Sequence, residues 1–166
     1  PMLAYPVSAK PIDYSKPTFI QPKLDGVRCL IQCDPRKMVV AYSRTGKEWK
    51  NINHILRELI PFFAEHPNVI LDGELYNHDL RDDFEKIISL VRKTKPTDED
   101  RQEASELTQF HCYDTIMEHM PYDQRLNFIR NNVPDTYCIK PVETDMVFRE
   151  DDAKVYHARN LDKGYE

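Results

Sequence analysis

The hexapeptide K-L-D-G-V-R, from Lys23 to Arg28, puts an amine, a carboxylate, a flexible turn and a cation within one strand–loop–strand step. A lysine amine, with an ordinary pKa of about 10.4, is almost wholly protonated at neutral pH. It attacks a phosphate only where its surroundings depress that value. Cations such as Arg28, a bound metal and partial burial act in that direction. The opposite charge of Asp25 acts against it, so Asp25 is assigned to orienting the amine. Gly26 allows backbone to approach a phosphate with no Cβ in the way, and Arg28 offers phosphate oxygens a planar fork of donors. Taken alone, the same six residues also read as a solvated turn between two strands.

Further pieces follow in a consistent order. S-R-T-G (Ser43 to Gly46) comes after a short apolar run, and L-D-G-E-L (Leu71 to Leu75) ends another. F-H-C-Y-D (Phe110 to Asp114) sits in a third run, and G-Y-E (Gly164 to Glu166) comes last. Together they resemble the nucleotidyltransferase superfamily of ATP-dependent DNA ligases, RNA ligases and mRNA capping enzymes. They look most like the small viral or bacterial ATP-dependent DNA ligases. P-M-L-A (Pro1 to Ala4) is also similar to a common opening in that family.

The resemblance implies a role for each matching residue. Lys23 matches the adenylated lysine, which attacks the α-phosphate of ATP, releases pyrophosphate and holds AMP through a P–N bond. Arg28 and Arg44 match positions that contact the nucleotide's sugar or phosphates and the 5′-phosphate of a nick. Glu74 matches a glutamate that binds a ribose hydroxyl and helps position a divalent metal, Mg²⁺ or Mn²⁺. Glu166 matches a second metal-serving carboxylate, and Tyr113 the aromatic that stacks on adenine. Asp72 is expected only to shape the end of its strand. Gln21 stands where the ligase pattern has a glutamate that reads the adenine amino group, and its amide oxygen can still accept that hydrogen bond.

Several of these residues read differently when taken singly. Tyr113 is also a core aromatic on a strand, Glu74 an exposed strand carboxylate, and Arg44 a partner for Glu48 across a turn. RNA ligase, GTP-using capping guanylyltransferase and a non-catalytic nucleic-acid-binding module therefore stand as alternatives to a DNA ligase.

Composition agrees with one soluble domain. The 166 residues are 40% hydrophobic and 31% charged, enough for a real core and too polar for a membrane protein. No apolar run approaches the length of a bilayer span, and no basic, then apolar, leader opens the chain. A cytosolic location in a bacterial or virus-infected cell is the default, with nuclear or viral-factory sites left open. Cys29, Cys33, Cys112 and Cys138 show no paired spacing and read as reduced core residues. The net charge of −5 hides an asymmetry. Gln21 to Lys50 carries seven basic and three acidic residues, a local +4, which leaves −9 elsewhere. That basic stretch, with Arg44 and Lys47 in its turn, is the expected contact for nicked double-stranded DNA. The partners expected are ATP and that DNA, with the protein a monomer.

Patterning predicts strands over 19–33, broken at the lysine turn, then 38–43, 69–76, 107–116 and 137–147. Helices are predicted over 51–65, with Ile52, Ile55, Leu56, Leu59 and Phe62 or Phe63 inward, and over 82–92, with Phe84, Ile87, Ile88 and Val91 inward. Two more are predicted over 122–131 and 151–160. The polar run 93–106 reads as a mobile loop. The class expected is mixed, mainly antiparallel α+β, the nucleotidyltransferase fold of ligases and capping enzymes. The resemblance implies a single adenylation domain over 1–166, expected to be incomplete at its C-terminus, with the family's later lysine-bearing strand and OB-fold domain lying outside it.

Overall fold

The computed structural model describes residues 5–166, so the Pro1 to Ala4 opening lies outside the described residues. In chain order the strands are β1 (Thr18–Ile20), β2 (Val27–Cys33), β3 (Val39–Ser43), β4 (Ile70–Tyr76), β5 (Gln109–Ile116), β6 (Ile139–Pro141) and β7 (Asp145–Val147). The helices are α1 (Asn53–Glu58), α2 (Ile60–Glu65), α3 (Phe84–Val91), α4 (Asp98–Leu107), α5 (Tyr122–Asn132) and α6 (Glu150–Asp162). They fall into two compact units, one spanning Leu24–Val142 and the other formed by the residues up to Lys23 with Glu143–Glu166.

The larger unit is built on a five-stranded sheet in the order β3-β2-β4-β5-β6, antiparallel except for the parallel β5–β6 pair. Strand alternation sends Cys29, Ile31, Ala41, Leu71, Leu75, Phe110 and Ile139 to one face, where each is fully buried. Ile52, Ile55, Leu59, Phe63, Ile87 and Ile129 from the helices join them in one apolar cluster. The other face is polar. Arg28 lies opposite Glu74, Glu74 opposite His111, and His111 opposite Lys140, a row across β2, β4, β5 and β6. An antiparallel sheet covered on one side leaves its other side to ligand or water. The cysteines are free, three of them buried and Cys33 half-buried.

In the smaller unit β1 pairs antiparallel with β7, and α6 buries Ala153 and Tyr156. No helix among the described residues is long and apolar enough to cross a membrane.

Four expectations need correction. The helix over 51–65 is two helices, because Pro61 lacks the N–H that would continue the ladder and starts α2 instead. Both Phe62 and Phe63 are buried. In α3 the buried residues are Ile87, Leu90 and Val91, whereas Phe84 and Ile88 are only half-buried. The supposed loop 93–106 contains α4. A capping box starts it, with Thr97 Oγ1 accepting from the Asp100 N–H and the Asp100 carboxylate accepting from the Thr97 N–H at 2.9 Å. Lys86–Glu103 and Lys93–Asp100 ion pairs tie this helix to α3 and the segment after it. Charge density signalled disorder, but several of the charges are partnered. Finally, 137–147 is two three-residue strands in different sheets, β6 and β7.

Candidate active site

In the larger unit the polar face of the sheet gathers three of the predicted residues. The β2–β4 register puts Arg28 directly across from Glu74. Asp72, expected only to end its strand, is instead the third residue of β4, and it is buried. Its carboxylate takes both arms of Arg28, from Nε at 2.9 Å and from Nη2 at 2.5 Å. This bidentate bond raises the guanidinium pKa further and fixes its plane. Truncating either partner would strand a half-buried charge, at a cost of about 3–5 kcal/mol.

Tyr113 reaches the same face through a bulge. Gly73 is paired with Cys112 and Asp72 with Asp114, which leaves Tyr113 as the extra residue of β5. Cys112 and Thr115 are buried on either side, and Tyr113 and Asp114 both face the polar side, half-exposed. The Tyr113 hydroxyl lies 3.4 Å from Glu74 Oε2, and the Arg28 Cζ is 6.0 Å from the ring centroid. Burial, then the carboxylates of Asp72 and Glu74, push the phenol pKa up, so the ring stays neutral with its O–H intact.

Gly26 has a packing reason. A Cβ on Gly26 would fall 2.4 Å from the Leu75 carbonyl oxygen, so the residue read as a phosphate approach is also where β4 comes close. Gly46 closes the β3 hairpin loop with φ +82°. The Ser43 hydroxyl accepts from the Lys47 N–H at 3.0 Å in that loop, and Arg44 and Lys47 stand exposed on it. Arg44 forms no ion pair among the described residues, so the alternative pairing with Glu48 does not occur. Asp25 is exposed.

The smaller unit holds the other predicted residues. Lys23 forms an ion pair with Glu166, and the Glu166 N–H donates to the Lys23 carbonyl at 3.3 Å. The lysine side chain is 71% exposed. Gln21 Nε2 donates to the buried Thr144 Oγ1 at 2.8 Å, which engages the amide's donor end.

His111, in the row beside Glu74, adds a testable electrostatic feature. Burial, with repulsion from Lys140 and His78, pushes its imidazole down to about 4. The unfolded chain therefore takes up a proton before the folded one. The associated stability is complete above about pH 6.5 and is lost as the pH falls towards about 4, by no more than about 3 kcal/mol. Urea unfolding at about pH 7 and about pH 4.5 should show a smaller acid loss in His111→Gln than in the parent, because only the parent titrates there. Equal losses would mean that His111 is solvated.

Asp114 was quoted in a motif without a role, and Arg125 carried no local signal. They form a second bidentate pair at 2.8 and 2.9 Å, 11 residues apart in the chain.

Comparison with known proteins bears on the family and the fold. Residues 1–166 match the family described as the ATP dependent DNA ligase domain. DNA ligases of two African swine fever virus isolates are 29% identical over 153 residues, covering 89% of this chain and 34% of theirs. The chain thus spans about a third of the length of those curated relatives. A Lig E DNA ligase structure, from work on DNA binding with a minimal scaffold, shares the fold at TM-score 0.72 and 19% identity, over 99% of this chain and 58% of that one. An archaeal ATP-dependent RNA ligase shares it at TM-score 0.54 and 18% identity, over 86% and 35%. With its mixed, mainly antiparallel sheet and the family match running from its first residue to its last, the chain belongs to the ATP-dependent DNA ligase domain family.

Proposed function

We propose that this chain is the adenylation core of an enzyme that seals nicks in double-stranded DNA with ATP. Lys23 Nζ attacks the α-phosphate, a P–N bond forms and pyrophosphate leaves. AMP then passes to the 5′-phosphate of the nick, and the 3′-hydroxyl displaces it as the phosphodiester bond closes. The observation that carries this reading is the polar sheet face, where a neutral aromatic ring, a carboxylate and a rigidly held guanidinium stand together. Those are the groups that a nucleoside needs: a π-face for the base, an acceptor for ribose hydroxyls and a cation for phosphate or sugar oxygens. Arg28 is immobilised before any ligand arrives, so little ordering entropy is lost on binding.

A divalent metal would have to be held by few protein ligands. Asp72 is committed to Arg28, and among the described residues no group of three or more His, Cys, Asp or Glu could hold an ion. Mg²⁺ characteristically takes one or two carboxylates and completes its shell with water and substrate phosphates. Glu74, in the larger unit, would supply one such ligand; Glu166, in the smaller unit, is proposed separately as a carboxylate that serves a metal. When bound, the ion would neutralise charge developing on the phosphates. Gln21, with its Nε2 turned to Thr144, is proposed to accept from the adenine amino group through Oε1.

The test is to offer the protein that carries this chain labelled ATP or GTP, with nicked DNA or nicked RNA. A covalent AMP adduct and sealing of the DNA nick are expected. A GMP adduct would indicate a capping-type enzyme, and preferential sealing of RNA would favour the RNA ligase reading. Binding to nicked duplex should also weaken steeply with salt. Arg44→Gln and Lys47→Gln should each reduce the slope of log affinity against log salt by about one unit. Unchanged slopes would place the DNA-binding face away from the β3 hairpin loop.

A further inference from the structure

The bulge that turns Tyr113 to the polar face breaks its regular pairing with β4, so other contacts must define where the ring points. They come from the start of α5. Tyr122 Oη donates to the Tyr113 carbonyl at 3.3 Å. Arg125 Nε and Nη2 hold the two oxygens of Asp114 at 2.8 and 2.9 Å, and Nη1 donates to the Met120 carbonyl at 2.6 Å. The guanidinium also lies 5.3 Å from the Tyr122 ring centroid. Asp114 Oδ1 further accepts from the Thr115 N–H at 2.8 Å. Oxygen and side chain on the two sides of the 113–114 peptide are thus both fixed, and with them the Cα–Cβ direction of Tyr113.

We propose that Arg125 is a positioning residue for the nucleotide site, setting the placement of Tyr113 through Asp114. The proposal rests on the reading that Tyr113 stacks on the base. Docking of α5 has its own basis, since Leu126 and Ile129 are buried in the core and hold the helix to β5. What Arg125 adds is direction. A planar fork spanning two carboxylate oxygens fixes an angle, which the single ammonium of lysine cannot do.

The experiment measures KM for ATP and the adduct-forming rate at saturating ATP, in the protein that carries this chain. Tyr113→Ala, Arg125→Ala, Arg125→Lys and the double alanine variant are compared, and unfolding midpoints are recorded for each. Tyr113→Ala should raise KM by about 5- to 150-fold, the loss of one stacked base. Arg125→Ala should raise it by about tenfold, within that range, and Arg125→Lys should recover little of the loss. The rate at saturating ATP should change far less in all of them. Added to Tyr113→Ala, Arg125→Ala should change KM by less than about twofold, because both act through one ring. Multiplying effects in the double variant, or an unchanged KM in Arg125→Ala beside a raised one in Tyr113→Ala, would overturn the positioning role alone. An unchanged KM in Tyr113→Ala would overturn the stacking reading, and the proposal with it. Should the alanine variants of Arg125 fail to fold, Arg125→Lys and Asp114→Asn carry the same comparison.

Discussion

Lys23→Ala should abolish the acid-labile AMP adduct and, with it, nick sealing, while the protein stays folded. The expected loss is complete, because in the proposed mechanism Lys23 forms the P–N bond and every later step consumes that adduct. Stability should move by less than about 0.5 kcal/mol, since the side chain is 71% exposed and its ion pair with Glu166 lies at the surface. Lys23→Arg should fail equally, because a guanidinium does not lose its proton at any pH the fold survives. Intact-mass analysis after incubation with ATP, together with circular dichroism, reads both outcomes. An adduct that persists in Lys23→Ala would move the nucleophile elsewhere.

Gly73→Ala is expected to be the most damaging substitution of a single hydrogen by a methyl group. Its Cβ would lie 2.3 Å from the His111 carbonyl oxygen and 2.6 Å from a ring carbon of Phe110. Neither neighbour can give way. One is backbone of the adjacent strand, and the other belongs to a side chain with no exposed surface in the core. The loss in urea unfolding should exceed about 3 kcal/mol, the upper part of the range for overpacking. Gly46→Ala is the contrast, because no atom lies within 4 Å of its Cβ and only the φ of +82° resists. It should cost about 1–2 kcal/mol. If the two variants lost equal stability, β4 and β5 would have to be free to separate at Gly73.

The sheet was legible wherever the signal was local. Alternation located β2, β4 and β5; the motif around Lys23 falls in the connection between β1 and β2, and Arg28, Glu74 and Tyr113 fall within strands. What escaped depended on side-chain partners that patterning and composition do not reveal. Asp72 looked incidental because its partner Arg28 lies 44 residues earlier, on the adjacent strand of the sheet. The charged run after Lys93 looked unstructured because composition does not reveal that Asp100 caps its own helix and pairs with Lys93. Pro61 was the reverse case, a local signal outweighed by a strong apolar stripe. Arg125 was invisible for want of any cue that Asp114 needs a holder.

The extra residue in β5 separates what the fold requires from what the site requires. Removing Tyr113 outright would leave Cys112 facing inward, Asp114 outward and Thr115 inward, the alternation of an unbroken strand. The ladder between β4 and β5 would then close without interruption. By that count the sheet has no use for a residue at this position, and the chain carries one residue more than its architecture needs. A deletion that mends the ladder while erasing the ring would give a protein with a more regular sheet and an emptier polar face.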